Sequence, residues 1–325
     1  MVTKVLIVKT SSMGDVIHTL PALTDACNQI KDIQFDWVVE ENFAQIPSWH
    51  DSVDRVIPVA IRRWRKNWFA KDIRHERNEF IKQLRLKKYD AVIDAQGLIK
   101  SAFLITRKAH GIKHGLDWNS AREPIASWFY DKKHFVEKNM HAVERTRQLF
   151  AKSLEYQLPN DSLGDYAIAK HFLSNLPLND QPYLIFLHST TRDDKHWIEK
   201  EWRDLIRLVQ PLGFKIKLPW GTEVEQQRAY RLANGFEHVE VLPKLTLSQV
   251  ANVLVGAKAV VSVDTGLSHL TASLDRPNIT LYGPTDPKLI GGYGLNQHSF
   301  ISSQKSMSTI TAEDVFTQLM NLINN

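Results

Sequence analysis

Short apolar runs rich in β-branched residues alternate with longer helical patterns along almost all of this chain. A parallel strand that is buried on both faces produces such a run, and the crossover between two parallel strands is usually a helix. Repeated alternation therefore predicts right-handed βαβ units and an α/β fold with parallel sheets. The candidate strands lie at 4–9, 37–40, 55–60, 91–94, 184–188, 215–220, 239–243, 259–264 and 279–283. The candidate helices lie at 15–29, 73–88, 98–109, 139–154, 200–211, 223–234, 246–256 and 267–274.

A polar, proline-containing stretch near 156–164 interrupts the alternation, which then begins again. The 325 residues are enough for two domains of ordinary size, so we predict domains at 1–160 and 161–325, each with its own sheet. The tail from Thr311 opens with a Thr-x-x-Asp capping box, which predicts a terminal docking helix. Its apolar face consists of Val315, Phe316, Leu319, Leu322 and Ile323.

Composition and charge exclude several classes of protein. Hydrophobic residues make up 43% of the chain and charged residues 24%, which excludes a disordered chain, a collagen and a coiled coil. The net charge of +5 is concentrated, because residues 62–88 alone carry eleven basic and three acidic side chains. This pattern indicates one basic site rather than a uniformly basic coat for nucleic acid. The single cysteine excludes an internal disulfide and a cysteine-based zinc site. We find no signal peptide and no membrane-spanning run, so we expect a cytosolic protein.

The loops that follow the strands are the places to search for chemistry, because open α/β sheets bind ligands beyond the carboxyl ends of their strands. The first loop reads TSSMGD, with Gly14 in a tight turn and Asp15 in the first turn of the next helix. Asp15 is either an acid that stabilises the helix N-terminus or a general base at the mouth of a cleft. The spacing alone favours the first interpretation. The loop matches neither the dinucleotide-binding nor the Walker A pattern.

The loop after residue 187 reads HSTTRDDKHW. Thr190 and Thr191 can donate hydroxyl and amide groups, and Lys195 supplies a mobile positive charge, which together suit a phosphate group. Ordinary helix capping is the alternative for the threonines. Asp193 and Asp194, together with neighbouring histidines, raise the alternative of a metal site, which is less favoured because adjacent aspartates normally diverge and no second carboxylate cluster accompanies them.

Two further loops have both a binding and a structural interpretation. Asp264, Thr265, Gly266 and His269 straddle a strand end and a helix start, where backbone amides and the helix dipole favour an anion. The alternative for His269 is a buried core histidine. Glu225 follows a Pro-Trp-Gly turn and is either a surface carboxylate or an acceptor for ribose hydroxyls.

The segment IRRWRKNWF at 61–69 interleaves Arg62, Arg63, Arg65 and Lys66 with tryptophans. A run of charges is usually a solvated face. Tryptophans among arginines suit an acidic ligand beside a membrane interface, and single-stranded nucleic acid is the less favoured alternative.

Seven motifs occur in order along the chain: KTSSMGDVIHTLPAL, FDWVVEE, IPVAIRRWRK, DAQGLIKSA, HSTTRDDKHW, SVDTGLSHLTA and YGPTDP. Together they resemble the ADP-heptose:lipopolysaccharide heptosyltransferase family over essentially the whole chain. SVDTGLSHLTA and YGPTDP mark the wider family, and SSMGD and RRWRK point to the branch that adds the first heptose. The resemblance implies a GT-B fold, in which two Rossmann-like domains with parallel sheets face each other across a cleft. It also implies that the last helix, 311–325, returns toward the N-terminal domain.

The resemblance implies an inverting glycosyltransferase. Its donor would be ADP-L-glycero-D-manno-heptose, bound by domain 161–325, and its acceptor would be Kdo, the acidic sugar of Kdo-lipid A, bound by domain 1–160. The enzyme would lie peripherally on the cytoplasmic face of the bacterial inner membrane. It would have no nucleic-acid partner, and the resemblance does not imply an oligomer.

The resemblance also assigns roles to individual residues. Asp15 would take the proton from the acceptor hydroxyl. Leu245 would lie beside the donor base, where members of the family can carry methionine. The other donor-binding residues would be Thr190, Thr191, Lys195, Glu225, Asp264, Thr265, Gly266 and His269. The acceptor-binding residues would be Arg62, Arg63, Arg65 and Lys66, with Arg122 as the next candidate. Because a lysine and a helix dipole can stabilise the leaving diphosphate, we expect no cofactor and no obligatory metal.

Three alternatives remain at this point. The chain could belong to a related transferase that adds a later heptose. It could be a nucleotide-sugar epimerase of similar architecture, which needs no lipid acceptor. It could also be a non-enzymatic module that binds membranes through the segment at 61–69.

Overall fold

The structure is a computed structural model that describes residues 2–159, 162–173 and 181–324. The chain forms two compact units, Met1–Ala167 and Ile168–Asn325. The strands of the described residues are β1 Thr3–Val8, β2 Ile33–Glu40, β3 Val53–Val59, β4 Lys88–Asp94, β5 His110–Leu116, β6 Lys132–His134, β7 Tyr183–Leu187, β8 Lys215–Leu218, β9 Val239–Val241, β10 Ala259–Val263, β11 Asn278–Tyr282 and β12 Gln297–Ile301. The α-helices are α1 Met13–Ile17, α2 Leu20–Gln29, α3 Ile61–Trp64, α4 Lys71–Leu84, α5 Ile99–Leu104, α6 Ala142–Leu154, α7 Ala169–Leu173, α8 Glu199–Val209, α9 Glu223–Ala233, α10 Leu247–Val255, α11 Gly266–Ser273 and α12 Ala312–Asn324.

The first unit is built on a six-stranded parallel sheet with the strand order β3-β2-β1-β4-β5-β6. Val5 on β1 pairs with Phe35 on β2 and with Ala91 on β4, so β1 lies between the two halves of the sheet. The strand order reverses between β1 and β4. The loops that leave the carboxyl ends of these two strands therefore flank a crevice, which is where doubly wound sheets bind their ligands.

The second unit repeats this arrangement. Its parallel sheet has the order β12-β11-β10-β7-β8-β9, so the reversal falls between β7 and β10. The predicted terminal helix is confirmed as α12: the Thr311 hydroxyl donates a hydrogen bond to Asp314 at 2.7 Å, and Val315 and Leu319 are buried in the core of this unit. The return of this helix toward the other domain stays a prediction.

The predicted α/β class with parallel sheets is confirmed, and each of the predicted strands corresponds to an observed one. Three strands, β5, β6 and β12, lack the apolar pattern of the others. β6 and β12 lie at sheet edges, where only part of the strand needs to be buried, and β5 contains two glycines and three polar residues in HGIKHGL. The helix predicted at 15–29 is two helices, α1 and α2, with Pro21 in the first turn of the second.

The predicted boundary between residues 160 and 161 lies outside the described residues. The described residues that follow it pack on the first unit, because Arg147 donates a hydrogen bond to the Ser162 carbonyl at 2.8 Å. Gly164 lies so close to Pro21 that an added Cβ would be 2.7 Å from the proline ring. The second unit accordingly begins at Ile168. Within the described ranges, every helix is too short or too polar to cross a lipid bilayer.

Candidate active site

The loop after β1 is held in place by the loop after β4. Gln96 accepts hydrogen bonds through Oε1 from the amides of Thr10 and Ser11, at 2.8 and 3.1 Å, and donates through Nε2 to the Ser11 carbonyl at 2.8 Å. Because these contacts join the two strands on either side of the topological reversal, they fix the backbone that leads into α1. Asp15 lies in the first turn of that helix, as predicted.

Asp15 caps its own helix. Its Oδ2 accepts hydrogen bonds from the amide of Ser12 at 2.8 Å and from the Ser12 hydroxyl at 2.7 Å, so the capping interpretation is confirmed. The same side chain is 44% exposed, and its Oδ1 lies 3.8 Å from the Lys9 ammonium. A capping role thus leaves one carboxylate oxygen at the carboxyl edge of the sheet, and the role of general base stays a prediction.

Three cationic side chains surround this end of the sheet. Lys9 is only 8% exposed and donates a hydrogen bond to the Ala95 carbonyl at 2.9 Å. Burial lowers the pKa of Lys9, and the nearby charges of Arg145 and Arg122 lower it further, although Asp15 opposes them. Arg122, a predicted acceptor residue, therefore lies within electrostatic range of Lys9. The cluster creates a positive field that suits an anionic ligand.

A buried carboxylate organises the loop after β4. Asp94 is fully buried and accepts hydrogen bonds from the amides of Gln96 and Gly97, at 3.0 and 3.1 Å, and from the Thr106 hydroxyl at 2.8 Å. Burial raises the pKa of Asp94. Gly97 has a φ of +64°, a conformation that glycine adopts at little cost. Asp94 thereby stabilises the loop that holds Gln96, and its polar contacts give it a structural role.

The basic segment at 61–69 lies at the carboxyl end of β3 and is less uniform than its sequence suggests. Trp64 is 5% exposed and belongs to the core, so it is not an interface residue. Arg63 forms ion pairs with Glu41 and Glu76, at 3.1 and 2.9 Å.

The other basic residues of the segment differ from Arg63. Arg62 lies over the Phe43 ring, and its amide donates a hydrogen bond to Glu40 at 3.2 Å. Arg65 and Lys66 are exposed. The basic residues of the segment therefore lie at one edge of the sheet, where Arg62, Arg65 and Lys66 are all exposed, whereas the charge of Arg63 is paired with two carboxylates.

The donor residues predicted in the second unit meet at its topological reversal. The Lys195 ammonium donates a hydrogen bond to Asp264 Oδ2 at 2.6 Å, with the two side chains 15% and 9% exposed. The Thr190 hydroxyl donates to the Asp264 carbonyl at 3.0 Å, which ties the loop after β7 to the loop after β10. Thr191 follows in the same loop and is exposed. Threonine and lysine side chains therefore converge on one point, as an anion site requires.

The start of α11 lies at the same point. Thr265 is the N-cap residue and Gly266 the first residue of the helix, so the amides of its first turn face the end of β10. His269 lies in this helix and is 8% exposed. The amides and the helix dipole add favourable electrostatics for an anion beside Lys195.

Glu225 and Leu245 lie at the outer strands of the second sheet. Glu225 Oε2 accepts hydrogen bonds from the amides of Gly221 and Thr222, at 2.7 and 3.2 Å, so this carboxylate caps α9. Leu245 directly precedes Thr246, the N-cap residue of α10, and is half-buried. Glu225 therefore lies in the first turn of α9 and Leu245 in the loop before α10, both following strands of the second sheet.

Histidines that the sequence did not single out support the donor loop. His196 Nε2 accepts a hydrogen bond from the Thr190 amide at 3.2 Å, and burial together with the Arg228 charge lowers the pKa of His196. Burial lowers the pKa of His188 to about 3, and the Ser189 hydroxyl lies 2.7 Å from its Nδ1. Both rings therefore remain neutral near pH 7 and serve as hydrogen-bonding groups.

The metal interpretation of the Asp193–Asp194 pair lacks supporting geometry. Asp194 forms an ion pair with Arg192, and Asp193 is fully exposed. Across the described residues, no three side chains of the metal-binding types converge. Asp193 Oδ1 lies 3.9 Å from His196 Nδ1, so the two carboxylates have different partners.

Sequence reasoning missed Lys9, which lies 3.8 Å from Asp15, and Arg145, whose charge acts on Lys9. Lys9 directly follows β1, and that position is a usable signal because the carboxyl end of β1 borders the crevice. Arg145 lies near the start of α6, where nothing in its sequence context distinguishes it from a surface arginine.

Comparisons with known proteins agree with this geometry. A model of glycosyltransferase family 9 (heptosyltransferase) matches residues 77–320. Lipopolysaccharide heptosyltransferase 1 of Salmonella typhimurium strain LT2 is 65% identical over 316 residues, which are 97% of this chain and 99% of that protein. The structure of E. coli heptosyltransferase WaaC with ADP is 64% identical and has a TM-score of 0.96, covering 98% of this chain and 100% of that one. The structure of the same enzyme with ADP-2-deoxy-2-fluoro heptose is 63% identical, with a TM-score of 0.94 and coverage of 98% and 99%. The chain, with its two parallel six-stranded sheets, therefore belongs to glycosyltransferase family 9 and is a heptosyltransferase of GT-B architecture.

Proposed function

We propose that this protein transfers L-glycero-D-manno-heptose from ADP-heptose to the Kdo of Kdo-lipid A, with inversion at the anomeric carbon. The proposal rests on one observation, which is that this member of the family has both of the sites that the reaction needs. An exposed carboxylate, Asp15, lies at the reversal of the first sheet, and an anion site around Lys195 and Thr190 lies at the reversal of the second. An inverting transfer needs one group that accepts the proton of the acceptor hydroxyl and another that binds the leaving diphosphate.

The transfer is a single in-line displacement. The acceptor hydroxyl oxygen forms a bond to the anomeric carbon while the bond from that carbon to the β-phosphate oxygen breaks with its electron pair. Asp15 takes the hydroxyl proton, and its side chain is 44% exposed at the carboxyl edge of the sheet. The capping hydrogen bonds from Ser12 hold the carboxylate in one orientation, which removes the need to reorganise it during the reaction.

The leaving ADP gains negative charge on its β-phosphate. Lys195 supplies a positive charge, Thr190 and Thr191 supply donors, and the first turn of α11 at Gly266 supplies amides. The ammonium has three N–H groups, of which Asp264 occupies one, so two remain to bind phosphate oxygens.

Thr265 and His269 complete the proposed donor site at the sugar end, beside Asp264. Glu225 holds the ribose through its second carboxylate oxygen, and Leu245 packs beside the base. We expect these groups to need no obligatory metal, so transfer should persist in excess EDTA.

The acceptor carries carboxylates and phosphates. Lys9 lies 3.8 Å from Asp15 and within electrostatic range of Arg122 and Arg145, and Arg62, Arg65 and Lys66 present charge at the same edge of the sheet. These groups suit Kdo-lipid A at the cytoplasmic face of the inner membrane.

The decisive assay measures ADP release from ADP-heptose with and without Kdo-lipid A. Acceptor-dependent release supports the transferase. Donor consumption without acceptor would indicate an epimerase or a hydrolase, and no consumption at all would leave only a binding module. The anomeric configuration of the isolated product, determined by NMR, tests inversion.

A pair of variants separates ribose binding by Glu225 from its capping role. Glu225→Gln keeps an oxygen that can accept the capping hydrogen bonds but removes the charge, and we expect about five- to thirtyfold weaker ADP binding by calorimetry. Thr222→Ala removes the reciprocal hydroxyl of the same capping box and should leave ADP affinity unchanged. Equal ADP affinity of the Glu225 variant and wild type would remove the ribose assignment.

A further inference from the structure

The first unit exposes a group of large apolar side chains near the carboxyl ends of β4 and β5. We call this group the aromatic patch: Ile99, Phe103, Trp118, Ile125 and Trp128. Trp128 is 68% exposed and Trp118 is 49% exposed. Tryptophans this exposed are unusual on a soluble protein surface, and a contiguous exposed apolar patch commonly marks an interaction site.

The members of the aromatic patch form one surface. The rings of Trp118 and Trp128 stack with their centroids 6.0 Å apart. The Ile99 amide donates a hydrogen bond to Glu123 at 2.7 Å, which joins the start of α5 to the segment that carries the second tryptophan. Phe103 is 5.8 Å from the Phe129 ring, edge to face, in that same segment. These contacts place the start of α5, the loop after β5 and the segment 124–129, which together carry the members of the aromatic patch, next to one another.

Cationic side chains lie among these apolar ones. The Arg107 guanidinium lies 3.7 Å from the centre of the Phe103 ring, and Lys100 is exposed next to Ile99. Arg85, which follows α4, donates a hydrogen bond to the Lys108 carbonyl at 3.0 Å, so the end of the basic helix α4 and the turn that follows α5 share one positive region. The aromatic patch is therefore continuous with the most basic part of the chain.

Exposed tryptophans next to lysine and arginine are typical of surfaces that bind at the headgroup level of a lipid bilayer. The indole ring is amphipathic and favours the interface, long basic side chains extend to the headgroups, and anionic lipids attract the positive field. The core of a protein–protein interface is instead depleted in lysine. The charge complementarity thus favours an anionic bilayer as the occupant.

We propose that the aromatic patch docks this protein on the surface of an anionic lipid bilayer, with Trp118 and Trp128 at the level of the headgroups. The proposal rests on the proposed function, because it explains how the enzyme reaches an acceptor held in a membrane. The geometry agrees: the loop after β4 holds Gln96 against the amides of Thr10 and Ser11 and then leads into α5 at Ile99, so the aromatic patch borders the loop that leads to Asp15.

Vesicle binding by the full-length protein tests the proposal without requiring transfer. Co-sedimentation would use vesicles of equal parts phosphatidylglycerol and phosphatidylcholine, and vesicles of phosphatidylcholine alone. We expect wild type to bind the anionic vesicles, with a blue shift of tryptophan emission. The double variant Trp118→Ser/Trp128→Ser should bind at least tenfold more weakly. Lys100→Gln and Arg107→Gln should each weaken binding about fivefold, an effect that added salt reduces.

Tyr230 provides the matched control, since it is an aromatic residue 52% exposed on α9 of the second unit. Tyr230→Ser should bind vesicles as wild type does, and far-UV circular dichroism with thermal melts checks that each variant is folded. Wild-type binding to anionic vesicles that is absent, or that the double tryptophan variant retains, would overturn the proposal. An equal loss in the Tyr230 variant would overturn it too. The proposal would also be overturned if the protein bound no vesicles but self-associated in solution, and if the tryptophan substitutions abolished that self-association. The aromatic patch would then bind a second copy of the chain.

An acceptor without acyl chains separates the two proposals. Transfer by wild type to such a water-soluble acceptor reports on the proposed reaction alone. Transfer to it without any vesicle binding would keep the reaction and reject the docking surface. Vesicle binding without transfer to any acceptor would keep the docking surface and reject the reaction.

Discussion

Removal of the Lys195 ammonium leaves the Asp264 carboxylate buried beside a neutral neighbour. The two groups are 2.6 Å apart, and their side chains are 15% and 9% exposed. Loss of one partner of a buried ion pair costs about 3–5 kcal/mol, since the remaining charge has lost its compensation. The slight exposure of both groups places Lys195→Met near the lower limit, about 3 kcal/mol. For a unit of this size, that loss lowers the melting temperature by about 6–12 °C.

A second substitution separates the stability effect from the binding effect. Lys195→Met/Asp264→Asn removes both charges, and neutral replacements of a buried pair are often close to neutral for stability. We therefore expect the double variant to recover most of the lost stability, while its ADP affinity stays about ten- to hundredfold below that of wild type because the phosphate has lost a charged donor.

Calorimetry supplies both measurements, as a thermal scan of each variant and as a titration with ADP. A Lys195→Met variant as stable as wild type would show that the pair is effectively solvated, contrary to the burial argument. Recovery of ADP affinity in the double variant would show that Lys195 acts only by neutralising Asp264, and it would remove the lysine from the proposed donor site.

Three further predictions concern the base, the acceptor and the pH dependence of stability. Asp15→Asn keeps an oxygen for the capping hydrogen bonds and should lower turnover by about 10²–10⁴-fold. The control Asp72→Asn alters an exposed first-turn acid of α4 and should not change turnover. Similar turnover in both variants would show that Asp15 is only a helix cap. Arg65→Ala should raise the acceptor KM and reduce its salt dependence more than Arg63→Ala, because Glu41 and Glu76 already neutralise Arg63, and equal effects would contradict this division. The folded pKa of His188, about 3, lies below its unfolded value of about 6.5, so the unfolded state binds the extra proton and stability falls as the pH drops from about 6.5 toward 3. Urea unfolding at pH 7 and pH 5 should differ by up to about 2 kcal/mol, less so for His188→Gln, and the same slope in both proteins would refute the assignment.

The sequence by itself determined the class of fold and the loops in which the chemistry lies. Buried parallel strands must be apolar on both faces, so they can be recognised in the sequence as continuous apolar runs. The carboxyl ends of parallel strands also lie at one edge of the sheet. Asp15, Thr190, Lys195 and Gly266 could therefore be assigned to that edge from their positions after such runs. The helix caps at Asp15 and Thr311 could also be predicted from the sequence, because a capping box depends on residues that are only three positions apart.

Edge strands and buried aromatic residues were harder to predict from the sequence. β6 and β12 are short and half-polar, because a strand at the edge of a sheet needs less apolar surface than a central one. Trp64 stands among arginines in the sequence but enters the core, since a short helix directs neighbouring side chains to opposite faces. The local sequence shows which residues are apolar, and the tertiary packing decides which of them are buried.

Only the tertiary structure decided which distant residues act together. Lys9 and Arg145 are 136 positions apart in the chain, yet both bear on the charge around Asp15. Trp118 and Trp128 stack because the segment between β5 and β6 folds back on itself. Electrostatic fields and exposed patches depend on distances in space, and the contacts that set those distances join residues whose spacing in the sequence follows no local period.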